Sequence, residues 1–131
     1  MVDWTQMTQF RGITLNGCKV LGWSRTPSAL TIRLIARLQP GAEGFEQPGP
    51  GEDACYRWAT LVFPDVERVM GLRHVLEVPE MHGPLGETYY GYIEELHEAA
   101  PGHYELNGPM GELTVRGGAP RLEVDGAESA A

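Results

Sequence analysis

The chain is poor in cysteine. The two it has, Cys18 and Cys55, are too few for a disulfide framework and lack metal-ligand spacing. They are expected as buried thiols of a reducing compartment. Apolar runs are short, and none approaches the ~20 residues of a membrane-spanning helix, so no such helix is expected. The opening MVDWTQMTQF has neither the basic region nor the apolar stretch of a secretory signal, and the expected compartment is the cytoplasm. Lysine is nearly missing: nine of the ten basic residues are arginines, and Lys19 is the exception. A net excess of positive charge is also confined to one end. Residues 1–40 carry five cations against Asp3 alone, a net +4, whereas residues 41–131 carry five arginines against seventeen acids, a net −12. A chain of overall charge −8 without a basic stripe repels phosphate backbones. Direct nucleic-acid binding is therefore not expected, and a basic protein is the better candidate partner.

What is there reads as one domain of 131 residues built mainly of strands. Asp3-Trp4-Thr5-Gln6 has the form of a capping box for a short helix, with Trp4, Met7 and Phe10 on one face and Gly12 ending it. Ile13–Leu15 and Cys18–Trp23 read as strands joined by an Asn16-Gly17 tight turn. Leu30, Ile32, Leu34, Ala36 and Leu38 alternate with Thr31, Arg33, Ile35 and Arg37, a strand packed on one face. Residues 39–53, QPGAEGFEQPGPGED, have no apolar period and read as a mobile acidic loop within the domain. Phe45 in it is either a binding anchor or a pin that holds the loop to the core. Ala54–Phe63 reads as a central strand covered on both faces. Asp65–Gly71 fits one or two helical turns, Leu72–Val78 is ambiguous, and a second loop, Pro79–Gly86, carries Met81 and His82. Tyr89–Ala100 is read as a strand from Tyr89 to Leu96 in preference to a helix from Ile93 to Ala100.

The glycine-rich stretch GHYELNGPMGELTVRGGAPRLEV, residues 102–124, raises the question of a phosphate cradle. Such cradles place their glycines in one loop that runs directly into a helix. Here the glycines sit between alternating segments, Tyr104/Leu106, Leu113/Val115 and Leu122/Val124, which predicts a C-terminal three-stranded β-meander. The tail 125–131 is expected to be frayed. The predicted fold is α+β: a mostly antiparallel β-sheet with one or two short helices.

No catalytic set is legible. Pro101-Gly102 breaks the helical geometry that would let His97 and His103 share a metal, and both read as surface histidines. Ser24 and Ser28 have no nucleophile-elbow context. Glu94 and Glu95 are adjacent, so on a strand they face opposite ways. No metal or cofactor is expected. Binding has more support. Glu87, Tyr89, Tyr90, Tyr92, Glu94, Glu95 and Glu98 combine aromatic contact area with negative charge and form the expected partner-binding segment. The competing reading sends the tyrosines to the core and the glutamates to a solvated face.

The segments LTIRLIARLQP and ATLVFPDVERV, then Gly91-Tyr92-Ile93-Glu94 leading into YELNGPMGELTVRGGAPRLEV, resemble in their order the small bacterial immunity proteins that neutralise polymorphic toxins. The resemblance spans residues 30–124. It implies an acidic, non-catalytic inhibitor that occludes a basic partner such as a toxin, as a monomer or homodimer. It carries no individual binding residue with it. Two alternatives stand beside it. One is a phage-encoded inhibitor of a nucleic-acid-handling defence complex. The other is a small hydrolase or ligand-binding domain with a pocket roofed by the loops of Phe45 and His82.

Overall fold

The strongest alternation in the sequence sits at the centre of the structure. In the computed structural model of the protein, which describes residues 1–129, Leu30–Leu38 forms a nine-residue strand in the middle of a five-stranded antiparallel sheet. Its residues Leu30, Ile32, Leu34, Ala36 and Leu38 are all buried. Numbered along the chain, the strands are β1 Val2–Asp3, β2 Ile13–Arg25, β3 Leu30–Leu38, β4 Cys55–Phe63, β5 Arg68–Met70, β6 Met81–His82, β7 Thr88–Tyr89, β8 Gly91–Tyr92, β9 Glu95–Ala100, β10 His103–Gly108, β11 Gly111–Arg116 and β12 Arg121–Ser129. The first sheet runs β1-β9-β10-β11-β5, and the second runs β12-β4-β3-β2-β8. β6 and β7 form a separate hairpin.

The two sheets enclose one hydrophobic cluster. Leu61 and Phe63 of the second sheet face Leu96, Leu106, Leu113 and Val115 of the first within it, and the Phe63 and Tyr104 rings meet edge-on at 5.9 Å. Edge-on packing suits the aromatic quadrupole and ties the layers together. At two corners the chain passes from one sheet to the other. Ile93 donates its N–H to the Cys18 carbonyl in the second sheet, and the next residue, Glu94, donates to Asn107 in the first. Likewise Val66 donates to Ser28 and Glu67 to Arg116.

Several expectations need correction. Among the described residues there is no α-helix; the helical content is three single 3-10 turns, Trp4–Gln6, Thr8–Phe10 and Val75–Glu77. The α+β expectation therefore reduces to a mostly antiparallel β fold. The capping box at Asp3 is present, yet it closes only a 3-10 turn, and Met7 and Phe10 drop into the core instead of extending a helix. Asp65–Gly71 is not helical either, because the hydrogen bond from Glu67 to Arg116 draws it into β5 beside β11. Asn16-Gly17 does not end a strand. Between the pairs Thr14↔Arg37 and Lys19↔Ile35, β2 has four residues where β3 has one, so the turn-forming dipeptide becomes a bulge with Gly17 at φ 85°. β4 is a central strand, but its outer face is covered only in part: Val62 is buried, whereas Tyr56, Trp58 and Thr60 are half-buried. The preference for strand over helix in 89–100 agrees with the structure, although the segment is split into β7, β8 and β9.

The meander also needs redrawing. β9, β10 and β11 are consecutive neighbours, but β12 leaves them and pairs with β4 in the second sheet. It runs on to Ser129, past Val124 where a frayed tail was expected; residues 130–131 of that expectation lie outside the described residues.

Candidate functional site

The seven residues of the expected segment do not form one surface. Three of them gather at the β8 edge of the second sheet. Lys19 on β2 makes a 2.8 Å ion pair with Glu87 and lies 4.8 Å over the Tyr89 ring, which packs against Tyr92 at 5.7 Å. This ammonium, through its hydrogen bond, holds the Glu87 carboxyl below the usual carboxylate range, and Glu87 in return pushes Lys19 up. Glu87 is thus tied into the fold. Tyr90 packs edge-on to Trp23 at 5.5 Å. Glu98 shares the inward side of β9 with Leu96 and lies across from Tyr104, whose phenol is pushed up by burial and then by a hydrogen bond with Glu98. Glu94 is exposed at the corner between sheets, and Glu95 alone stands on the outer face of the first sheet.

On that outer face, register assembles carboxylates that are far apart in sequence. Antiparallel partners project to the same side. The pairs Glu95↔Asn107 and Asn107↔Glu112 make one row, and Asp3↔His97, His97↔Glu105 and Glu105↔Thr114 make the next. Asp3, Glu95, Glu105 and Glu112 therefore come from four different strands onto one half of a face. His97 lies among them. It was expected at the surface, yet it is 5% exposed, with Nδ1 2.9 Å from Glu95 Oε1 and Nε2 2.6 Å from Glu105 Oε2. Neither nitrogen has an in-line hydrogen-bond partner, so ring and carboxylates meet as close neighbours and not as directional bonds. The Asp3 carboxyl is held low, first by the Thr5 hydroxyl and least by the nearby His97. The other half of the face is positive, with Arg68 and Arg116 paired across β5 and β11 and Arg116 bound to Glu67 at 2.9 Å.

Sequence reasoning missed Asp3, Glu105 and Glu112 as members of this patch. Each is an ordinary polar position of an alternating strand, and only the register of β1, β10 and β11 against β9 groups them.

A second feature is a cleft of about 1030 Å³ between the turn at Thr8–Phe10, the loop 41–46 and β12. Phe45 lines it and also packs on the core, as a pin that holds the loop would. His82 is on β6 and is not part of its walls, which corrects the idea of a pocket roofed by both loops. Arg57, on the inward side of β4, is 4% exposed and reaches the loop wall through Glu46 at 3.3 Å.

Burial pushes the Cys18 thiol up to about 11, and its Sγ donates to the Thr14 carbonyl across the β2 bulge. A thiol in that state supplies almost no thiolate near neutrality. Among the described residues no group of three or more His, Cys, Asp or Glu side chains is arranged to hold a metal ion, and no helix is long and apolar enough to cross a membrane. No protein-family model, curated protein or solved structure matches the chain.

Proposed function

We propose that the protein is a non-catalytic, acidic inhibitor of immunity-protein type, which binds and occludes a basic partner protein such as a toxin. The observation that carries this reading is the convergence of Asp3, Glu95, Glu105 and Glu112 on one half of the outer face of the first sheet. A rigid sheet holds these charges at fixed spacing, so they act together on an approaching cation-rich surface. Such a field accelerates encounter more than it deepens affinity, which suits an inhibitor that must reach its target quickly. The overall charge of −8 agrees with an occluding role.

The test is capture from native cell extract with quantitative mass spectrometry, followed by association kinetics with whatever basic protein is enriched. Replacing Glu95, Glu105 and Glu112 by Lys should deplete that protein, slow association about tenfold or more at low salt, and flatten the salt dependence. Equal capture and equal on-rates for the reversed protein would remove this face from the mechanism. Glu98→Lys belongs to a different experiment, since that side chain faces inward and reports on stability.

A further inference from the structure

The cleft beside β12 has an unusual wall. Four consecutive residues, Leu122 to Asp125, line it. Successive side chains of a strand point to opposite faces, so a cavity touched by four in a row is approached from the strand's edge and not from either face. Among the described residues that edge has no strand partner: β12 is the last strand of the second sheet and pairs with β4. Open edges of this kind are templates for another strand, and proteins usually blunt them with charge. Here Glu123 and Asp125 stand on one side of β12, and Leu122 and Val124 turn toward the core on the other.

The opposite wall matches an extended occupant. Phe45 and Ile13 supply apolar surface, and Glu43 and Glu46 add carboxylates to those of β12. Arg11 is the only cation in the lining. Three of the four acids are already held by arginines: Asp125 by Arg33 through two contacts of 3.0 and 2.5 Å, Glu46 by the buried Arg57, and Glu123 by Arg121 at 3.3 Å. Arg57 anchors the loop wall incompletely, since its Nε is buried without a partner. At about 1030 Å³ the cleft is at the upper end of the ~300–1,000 Å³ of small-molecule sites.

We propose that this cleft receives an extended segment of a basic partner protein, which adds to the free edge of β12 as a sixth strand of the second sheet. Main-chain hydrogen bonds to β12 supply the attachment, and the two walls select the side chains. Alternate residues of the guest meet Phe45 and Ile13 on one side and Glu123 and Asp125 on the other. The segment recognised therefore alternates apolar and basic residues. This inference stands on the cleft alone and holds whether or not the acidic face of the first sheet engages a protein.

The probe is a blocked octapeptide of alternating lysine and valine, titrated into the full-length 15N-labelled protein and followed by amide shifts and calorimetry. Two further versions carry N-methyl groups, one on every lysine and the other on every valine. In an added strand the N–H groups of alternate residues point to the host and the others away. One methylated version should bind within about threefold of the parent, and the other at least tenfold more weakly. The shifts should cluster at residues 8–13, 41–46 and 121–125. They should persist in the Glu95→Lys, Glu105→Lys, Glu112→Lys protein, which separates this site from the acidic face. Absence of saturable binding would overturn the proposal. So would equal binding of both methylated peptides, which marks charge attraction or a small cationic ligand, or shifts confined to the first sheet.

Discussion

Lys19 is the only lysine of the chain, and its surroundings show how much one side chain organises. It links β2 to Glu87 at the base of the β6–β7 hairpin and covers the Tyr89 ring. Because the Glu87 carboxyl is lowered in the folded state, its contribution to stability is present above the ordinary glutamate value of about 4.3 and is lost as pH falls through the lower folded value. Lys19 is raised, so its contribution is present below about 10.4 and is lost only as pH rises beyond that. The Leu85 amide donates to Glu87 Oε2 at 3.0 Å and reports on that carboxylate directly. Its shift should titrate with a midpoint below about 4.3, and Lys19→Ala should move the midpoint upward. A midpoint unaffected by the lysine would mean the ion pair does not govern this carboxyl.

Elements in this fold are shaped by what lies beside them. The β10–β11 hairpin is closed by Pro109 and Met110 between the partners Gly108 and Gly111. Gly111 has φ 118° and packs so closely on the backbone after β5 that a Cβ there would collide with the Gly71 carbonyl. Gly111→Ala combines a disfavoured backbone with a clash against main chain, and neither is relieved by turning a side chain. It should cost about 2 kcal/mol or more, a fall of roughly 6–10 °C in Tm. A thermal melt within 2 °C of the parent, on the scale of about 0.5 kcal/mol, would show that the hairpin yields there. The same dependence on neighbours explains the misread elements. Asn16-Gly17 has the chemistry of a hairpin turn, but Gly17 donates to Ile93 at 2.8 Å, and that corner keeps β2 running through as a bulged strand. Asp65–Gly71 has helix-like punctuation, yet β11 offers it a ladder.

At the scale of the whole molecule, the two sheets share a single buried cluster, and the chain crosses between them at Ile93–Glu94 and Val66–Glu67. Neither sheet has a core of its own. Unfolding in urea should therefore be one transition, with tryptophan fluorescence and far-ultraviolet circular dichroism superimposing. Trp23 and Trp58 lie on the second sheet and Trp4 in the 3-10 turn against the core, so a fluorescence transition displaced from the dichroism curve would mean that the molecule does not unfold as one unit. Charge is also a property at this scale. The acids counted along residues 41–131 are dispersed by the fold. Glu87 is neutralised by Lys19, Glu98 turns inward, and Asp125 binds Arg33. What remains concentrated is the half-face of Asp3, Glu95, Glu105 and Glu112.

The sequence by itself determined the strands whose hydrophobic period is unbroken. β3, β4, β10 and β11 follow from alternation, because burying every second residue is a local pattern that local chemistry enforces. It also determined the capping box at Asp3. Which strands became neighbours was decided only in the tertiary structure, since register depends on partners distant along the chain. That is why β12 left the meander for β4, why Glu95 found Glu105 and Glu112, and why Arg57 and His97 came to be buried. Both candidate surfaces are products of register and of an open edge, which no single segment of the chain contains.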